Sequence, residues 1–272
     1  MIIQKNFSTK IMGVINANED SFFKESRLIG SSAITKIEQM IDDGASIIDI
    51  GGVSSKPGSE FVSPDEELTR VKPILDLIYE QKLYEKIEFS LDSYEPLVLK
   101  YALDRGFRIV NDITGLSNDE VCIIAASYDA KVVIMHMQNN PENMQIKPEY
   151  DDVILDIDDF FNKRIKKAKS FGIKEIVLDV GIGFGKTLEH NLKLLRNLEY
   201  FKHFGYELLI GASRKSMIDM IIPTSIEERL PGTLAIHLEA INTGASIIRC
   251  HDVKEHYQAI KVQEAIKKAE IL

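Results

Sequence analysis

Apolar and polar positions follow one another along this chain in two alternating rhythms. Eight short runs, at 11–16, 46–55, 86–92, 108–112, 131–136, 175–179, 207–215 and 246–252, are rich in Ile, Val and Leu, and each closes on polar side chains. Such β-branched runs predict strands, and their near-continuous hydrophobicity suits a parallel sheet covered on both faces. Between them, residues 65–81, 95–106, 188–201 and 254–271 place apolar side chains three and four apart, the spacing of amphipathic helices. The first of these helices opens on acids, as a helix N-terminus prefers. Its Pro73 either kinks it or marks its true start. The second carries Pro96 near its beginning and Gly106 at its stop. Gly44-Ala45-Ser46-Ile47-Ile48 recurs as Gly244-Ala245-Ser246-Ile247-Ile248, a glycine closing a helix before a buried strand, which reads as strands two and eight of a repeated unit. Eight buried strands alternating with helices, each with chemistry at its C-terminal end, predict a (β/α)8 TIM barrel, a single α/β domain over 1–272.

Composition narrows the partners. The chain has 272 residues, 44% of them hydrophobic, enough for one large core. A net charge of −9 argues against nucleic acid or an anionic membrane as partner. No apolar run approaches the ~20 residues of a membrane span, and the N-terminus lacks the apolar core of a signal peptide. Cys122 and Cys250, the only cysteines, exclude a disulfide framework and read as reduced thiols of a cytoplasmic protein. Two long polar loops, 17–32 and 53–64, predict mobile binding loops.

Strand alternation selects the side chains that face the barrel axis. Ser90 pairs with Asp92, Val177 with Asp179, and Ile247 with Arg249 and His251. Asn16, Asp92, Asn111, Asp179, Lys215, Arg249 and His251 then gather at the mouth. One acid there would simply pair with Lys215 or Arg249, but seven polar residues on one rim predict a ligand site. Residues 181–187, GIGFGKT, miss the spacing of both the phosphate loop and the dinucleotide fingerprint, so their glycines predict close backbone approach to a flat ligand. Ser213-Arg214-Lys215-Ser216, between a strand and a helix, predicts an anion site. In 135–137, MHM, the methionines share one face and His136 takes the other, an apolar wall under a ligand and not a copper site. His190, His203, His237 and His256 fall on predicted helices and read as surface or satisfied core residues.

In order and spacing, 11–22, 49–58, 90–93, 111–115, 135–137, 178–187, 211–216 and 249–253 together resemble the dihydropteroate synthases, the pterin-binding barrels of folate biosynthesis. The resemblance implies condensation of 6-hydroxymethyl-7,8-dihydropterin pyrophosphate with 4-aminobenzoate, pyrophosphate leaving as the pterin methylene becomes a cation that the arylamine attacks. It implies a pterin site of Asp92, Asn111, Met135, Asp179, Phe184 and Lys215. It implies a pyrophosphate site of Asn16, Ser55, Arg249 and His251, with Mg²⁺ on Asn16. It implies a 4-aminobenzoate site of Phe22, Ser55, Lys56, Pro57 and Ser216, and a homodimer. Asp92, Asp179, Lys215, Arg249 and His251 would carry the catalysis. This chain departs from the family at Phe23 and Lys24 in the first loop, where Glu25 is the nearest acid, at Val53 and Lys56 in the second, and at Val180. Lys56 keeps a charge but lacks the guanidinium fork. Two alternatives share the scaffold: a pterin-binding methyltransferase domain, and a catalytically silent pterin-binding paralogue.

Overall fold

The computed structural model describes residues 9–17, 26–54, 59, 61–140 and 143–269, with 26–29 in backbone only. Eight strands, β1 (Lys10–Asn16), β2 (Ile47–Gly51), β3 (Glu88–Asp92), β4 (Ile109–Asp112), β5 (Lys131–Met135), β6 (Ile176–Asp179), β7 (Glu207–Ile210) and β8 (Ile247–Cys250), pair in sequence order. All pairs are parallel, and β8 returns to β1, so the sheet is a closed barrel. This is the predicted (β/α)8 architecture. Helices follow the strands: α1 (Ser26–Asp42), α2 (Pro64–Glu80), α3 (Pro96–Leu103), α4 (Asp119–Ser127), α5 (Val153–Ser170), α6 (Leu188–Arg196), a short α7 (Ser216–Ile221), α8 (Leu230–Asn242) and α9 (Val253–Lys268).

Alternation separates two cores. Met12, Ile47, Ile109, Val133, Val177, Leu209 and Ile247 face inward and pack together as the barrel's own filling. Their outward neighbours, such as Ile48, Val110, Val132, Leu178 and Ile248, join the helices in the outer core. Further along the strands, the inward positions reach the mouth. The register sets Asn16 against Gly51, Gly51 against Asp92, and Asp92 against Asn111. Met135 likewise faces Asp179 across the β5–β6 pair.

The helix signals hold, with two local revisions. Pro73 lies inside α2 and does not start it; the helix begins at Pro64, where the Ser63 side chain accepts from Glu66 N at 3.3 Å. The 188–201 helix stops at Arg196 and continues as a tighter 3-10 turn, Leu198–Phe204, closed by Gly205 at φ +76°. The two echoed glycines, Gly44 and Gly244, take φ of +101° and +120°, the left-handed stop that each strand entry needs. His190 is consumed in a capping box with Thr187.

Phe161 is fully buried and meets Phe201 and Phe204 edge-on at 5.7 and 5.9 Å, joining α5 to the turn before β7. Phe161→Ala is expected to cost roughly 3–5 kcal/mol of stability, read by chemical denaturation.

Candidate active site

The barrel mouth concentrates charge where a sheet interior is normally apolar. Asp49, fully buried on β2, accepts Arg249 Nε at 2.6 Å and Asn111 Nδ2 at 3.1 Å through one oxygen. Arg249 Nη2 donates to Asp92 at 2.7 Å. A single guanidinium thus bridges β2 and β3 from β8. Burial pushes Asp92 up to about 7, with Asp49, Asp112 and Asp179 adding to the rise and Arg249 opposing it. Burial also raises the proton affinity of Asp179, which Gly181 N–H, donating at 2.7 Å, and the nearby Lys215 hold back. Asp112 faces outward and is spent on the chain itself, accepting from Thr114 N and Leu116 N at 2.7 and 3.0 Å.

The 181–185 turn forms the next wall. Its carbonyls are taken one by one from outside: Gly181 and Phe184 by Lys186 Nζ at 2.9 Å each, Gly183 by Gln145 at 2.8 Å, and Gly185 by the Tyr150 hydroxyl at 2.7 Å. Ile182 O accepts from Lys215 Nζ. Lys186 is buried and also lies 3.0 Å from His136 Nδ1, so a lysine amine acts as an internal strut, its proton affinity lowered by that burial. Only glycine fits at 181, because a Cβ there would stand 1.9 Å from His136 O. The result presents the half-buried Phe184 ring to the mouth, with Lys215 Nζ 4.2 Å from its centroid. Burial lowers Lys215 to about 8, and the adjacent Asp179 resists that fall. Met135 lines the same mouth from β5, while His136 turns away and meets Phe160 edge-on at 4.9 Å.

The segments after β7 and β8 are knitted together. Ser213 Oγ lies 2.9 Å from His251 Nδ1, and Arg214 makes a two-pronged ion pair with Asp252 at 2.5 and 3.1 Å. The expected anion site at 213–216 is therefore narrower than the motif suggests: Arg214 is committed to Asp252, leaving Lys215 and the exposed Ser216.

Of the residues expected at the rim, Asp92, Asn111, Asp179, Lys215 and Arg249 converge as buried or half-buried groups, Asn16 stands half-buried at the end of β1, and His251 is exposed just beyond β8. Arg249 is turned inward to two acids, with Nη1 alone donating to none of the described residues. Phe22, Ser55, Lys56 and Pro57, with the loop departures Phe23, Lys24 and Glu25, lie outside the described residues. Sequence reasoning missed Asp49 and Lys186. Asp49 had a signal: it is two residues past the inward Ile47, but Gly51 follows it on the same face. Lys186 had none, since lysine is almost always exposed.

Fold and site define a barrel enzyme with an acid-and-amide hydrogen-bonding edge, an aromatic wall and cations at its mouth. The profile of the pterin binding enzyme family matches residues 12–251. The dihydropteroate synthase of Escherichia coli is 41% identical over 94% of this chain and 90% of its own length. The bifunctional dihydropteroate synthase/dihydropteroate reductase of Helicobacter pylori is 38% identical over 96% of this chain, which spans 69% of that longer protein. The Clostridium difficile dihydropteroate synthase, crystallised in the presence of pteroic acid, superposes with a TM-score of 0.88 at 39% identity, covering 99% of this chain and 100% of that one. The chain belongs to the pterin-binding enzymes, and within them to the dihydropteroate synthases.

Lys186→Met removes the donor to three carbonyls, those of His136 and of Gly181 and Phe184 in the turn, each buried acceptor left bare costing roughly 1–3 kcal/mol. The expected outcome is a clear loss of thermal stability, read by calorimetry, with faster amide exchange across 181–185.

Proposed function

We propose that the rim residues divide the synthase reaction among three subsites: pterin, pyrophosphate and 4-aminobenzoate. The observation that carries this is the joining of Asp92, Asp49 and Asn111 through Arg249 and one another beside Asp179 and Lys215. Asp92, Asn111 and Asp179 accept from and donate to the polar edge of the pterin, and Lys215 donates to its carbonyl. Met135 and Phe184 close on the two faces of the ring. Anionic carboxylates around that ring favour the positive charge that grows on the pterin methylene as its bond to pyrophosphate breaks. The arylamine then forms the new carbon–nitrogen bond and loses a proton.

Arg249 through Nη1, with His251, meets the leaving pyrophosphate. Ser55 and Lys56 join them from the second loop, and Phe22, Pro57 and Ser216 complete the 4-aminobenzoate side. Asn16 fits Mg²⁺: it offers an amide oxygen at the mouth without a partner among the described residues, and this ion keeps several waters and binds largely through substrate phosphates. The metal would neutralise charge developing on the pyrophosphate.

Met220, Ile221, Ile222 and Ile226 are 51–63% exposed within one short stretch, an apolar face suited to a second copy of the chain in a homodimer. The buried thiols Cys122 and Cys250 suit the reducing cytoplasm. No helix among the described residues is long and apolar enough to cross a membrane.

A coupled assay for pyrophosphate release with both substrates tests the activity. Release requiring 4-aminobenzoate is expected. Pterin binding without release would instead identify a silent binding protein, and methyl transfer the domain of a methyltransferase.

The free-enzyme kcat/KM for the pterin substrate should follow a bell. It rises with pH as Asp92 ionises near about 7, and falls as Lys215 loses its proton near about 8. In Lys215→Met, the alkaline limb should vanish from the pH profile.

Arg249→Ala should raise KM for the pterin pyrophosphate far more than for 4-aminobenzoate. It should also destabilise the fold by roughly 3–5 kcal/mol, because Asp49 and Asp92 lose their shared cation. Steady-state kinetics in both substrates, beside a denaturation curve, reads the two effects; equal KM changes would remove Arg249 from the pyrophosphate subsite.

Ile222→Glu should halve the particle mass measured by light scattering if that apolar face joins two copies.

A further inference from the structure

Two buried histidines, given no part in the reaction above, sit behind the segment that carries Lys215. His237 on α8 and His256 on α9 are each 1% exposed. Ala212 N–H donates to His237 Nε2 at 3.0 Å. His237 Nδ1 lies 2.8 Å from His256 Nε2, and His256 Nδ1 lies 2.6 Å from Asp252 O. The ends of this chain are backbone groups whose roles cannot change. An amide N–H only donates, so His237 Nε2 carries no proton; its proton is on Nδ1 and is donated to His256. His256 therefore accepts at Nε2 and donates from Nδ1 to the Asp252 carbonyl. Geometry alone specifies one tautomer for each ring.

The linkage joins the two segments that supply the cations of the site. Residues 211–215 lead to Lys215, and 249–252 carry Arg249 and His251. The same α8 face grips the first segment again, Thr233 accepting from Arg214 N at 3.0 Å, while Arg229, just before α8, donates to Arg214 O at 3.2 Å. With both its backbone groups claimed, Arg214 is held at φ +56°, a left-handed conformation that a side chain disfavours, and this bend delivers Lys215 to the mouth.

We propose that His237 and His256 are positioning residues: a neutral, tautomer-locked pair that holds the Lys215 segment in register with the Arg249–His251 segment. Lys215 and His256 are the charged or titratable groups facing His237, and Asp252 and Glu255 are those facing His256. Burial, first of all, lowers the proton affinity of both rings. A proton added to His237 Nε2 would confront the Ala212 amide and stand close to Lys215, so the pair stays neutral through the range where an exposed imidazole titrates, around 6.5.

The kinetic part of the test rests on the assignment of Lys215 to the pterin; the spectroscopic part does not. In full-length protein labelled with ¹⁵N-histidine, two rings should show a protonated Nδ1 and a bare Nε2, the tautomer less populated in free imidazole side chains. Their signals, identified by loss in His237→Leu and His256→Leu, should not titrate near neutral pH. An Nε2–H tautomer on either ring overturns the proposal. Each Leu variant should shift the amide signals of both 211–215 and 251–252, and raise KM for the pterin pyrophosphate about tenfold with a smaller effect on kcat. His256→Gln, which can accept from His237 and donate to Asp252 O, should restore KM to within about threefold. Gln and Leu variants impaired alike, or neither impaired, would overturn the positioning role. Should the Leu variants fail to fold, the wild-type tautomers and the Gln variant still decide. An enzyme without synthase activity would leave the tautomer and amide-shift results standing, and so separate the two readings.

Discussion

One guanidinium holds the mouth of this barrel together. Inward charges cannot be left unpaired in a packed interior, and β2 and β3 each send one in, Asp49 and Asp92. Arg249, arriving from β8 at the other end of the strand order, reaches both. Barrel closure is what makes this possible, because it brings strand eight beside strand one and the mouth of every strand onto one ring. Burial leaves Asp92 more proton-hungry than a carboxylate in water, and Arg249 opposes that rise. A flat polar ligand entering here meets groups already oriented and partly desolvated, which is the condition for electrostatic preorganisation.

Around that centre, rigid struts position what the strands cannot. The 181–185 turn has no regular structure, yet each of its carbonyls is claimed by a side chain from elsewhere. Lys186, a residue type built for water, is buried to do so. The segment after β7 is held the same way, through His237, Thr233 and Arg229. In both places irregular backbone carries a functional side chain, Phe184 or Lys215, and the fixed hydrogen bonds remove the freedom that would blur its position. The device is the same as in any preorganised site: the supporting shell spends polar groups so that the contacting ones need not move.

The barrel was legible from strand spacing, and so was most of its rim. Asn111, Asp179 and Met135 were found because side chains on a strand alternate and the inward face of a parallel strand is recognisable. Lys215 and Arg249 were placed by the same rule at strand ends. Asp49 obeyed it too, but was hidden one step below a glycine, where the last inward position had no side chain to mark it. The extent of α2 was legible too, and of the two readings of Pro73 the start signal was outbid by Ser63 and Pro64, which supply a real cap. Membership among the pterin-binding enzymes followed from many short motifs in one order, and the profile over 12–251 agrees with that reading.

What the sequence determined by itself is therefore the periodic part: strand count, helix stops at Gly44 and Gly244, the separation of inner from outer core, and the set of polar residues at the mouth. These depend on neighbours within a few residues, where hydrophobic spacing and backbone preference act. Only the tertiary structure decided who pairs with whom. Arg249 chose Asp49 and Asp92, which are 200 and 157 positions away. Arg214 went to Asp252 instead of an anion, Lys186 went inward, and His237 found His256. Such choices depend on distances across a closed barrel and on the desolvation of each partner. Neither quantity exists until the chain has folded.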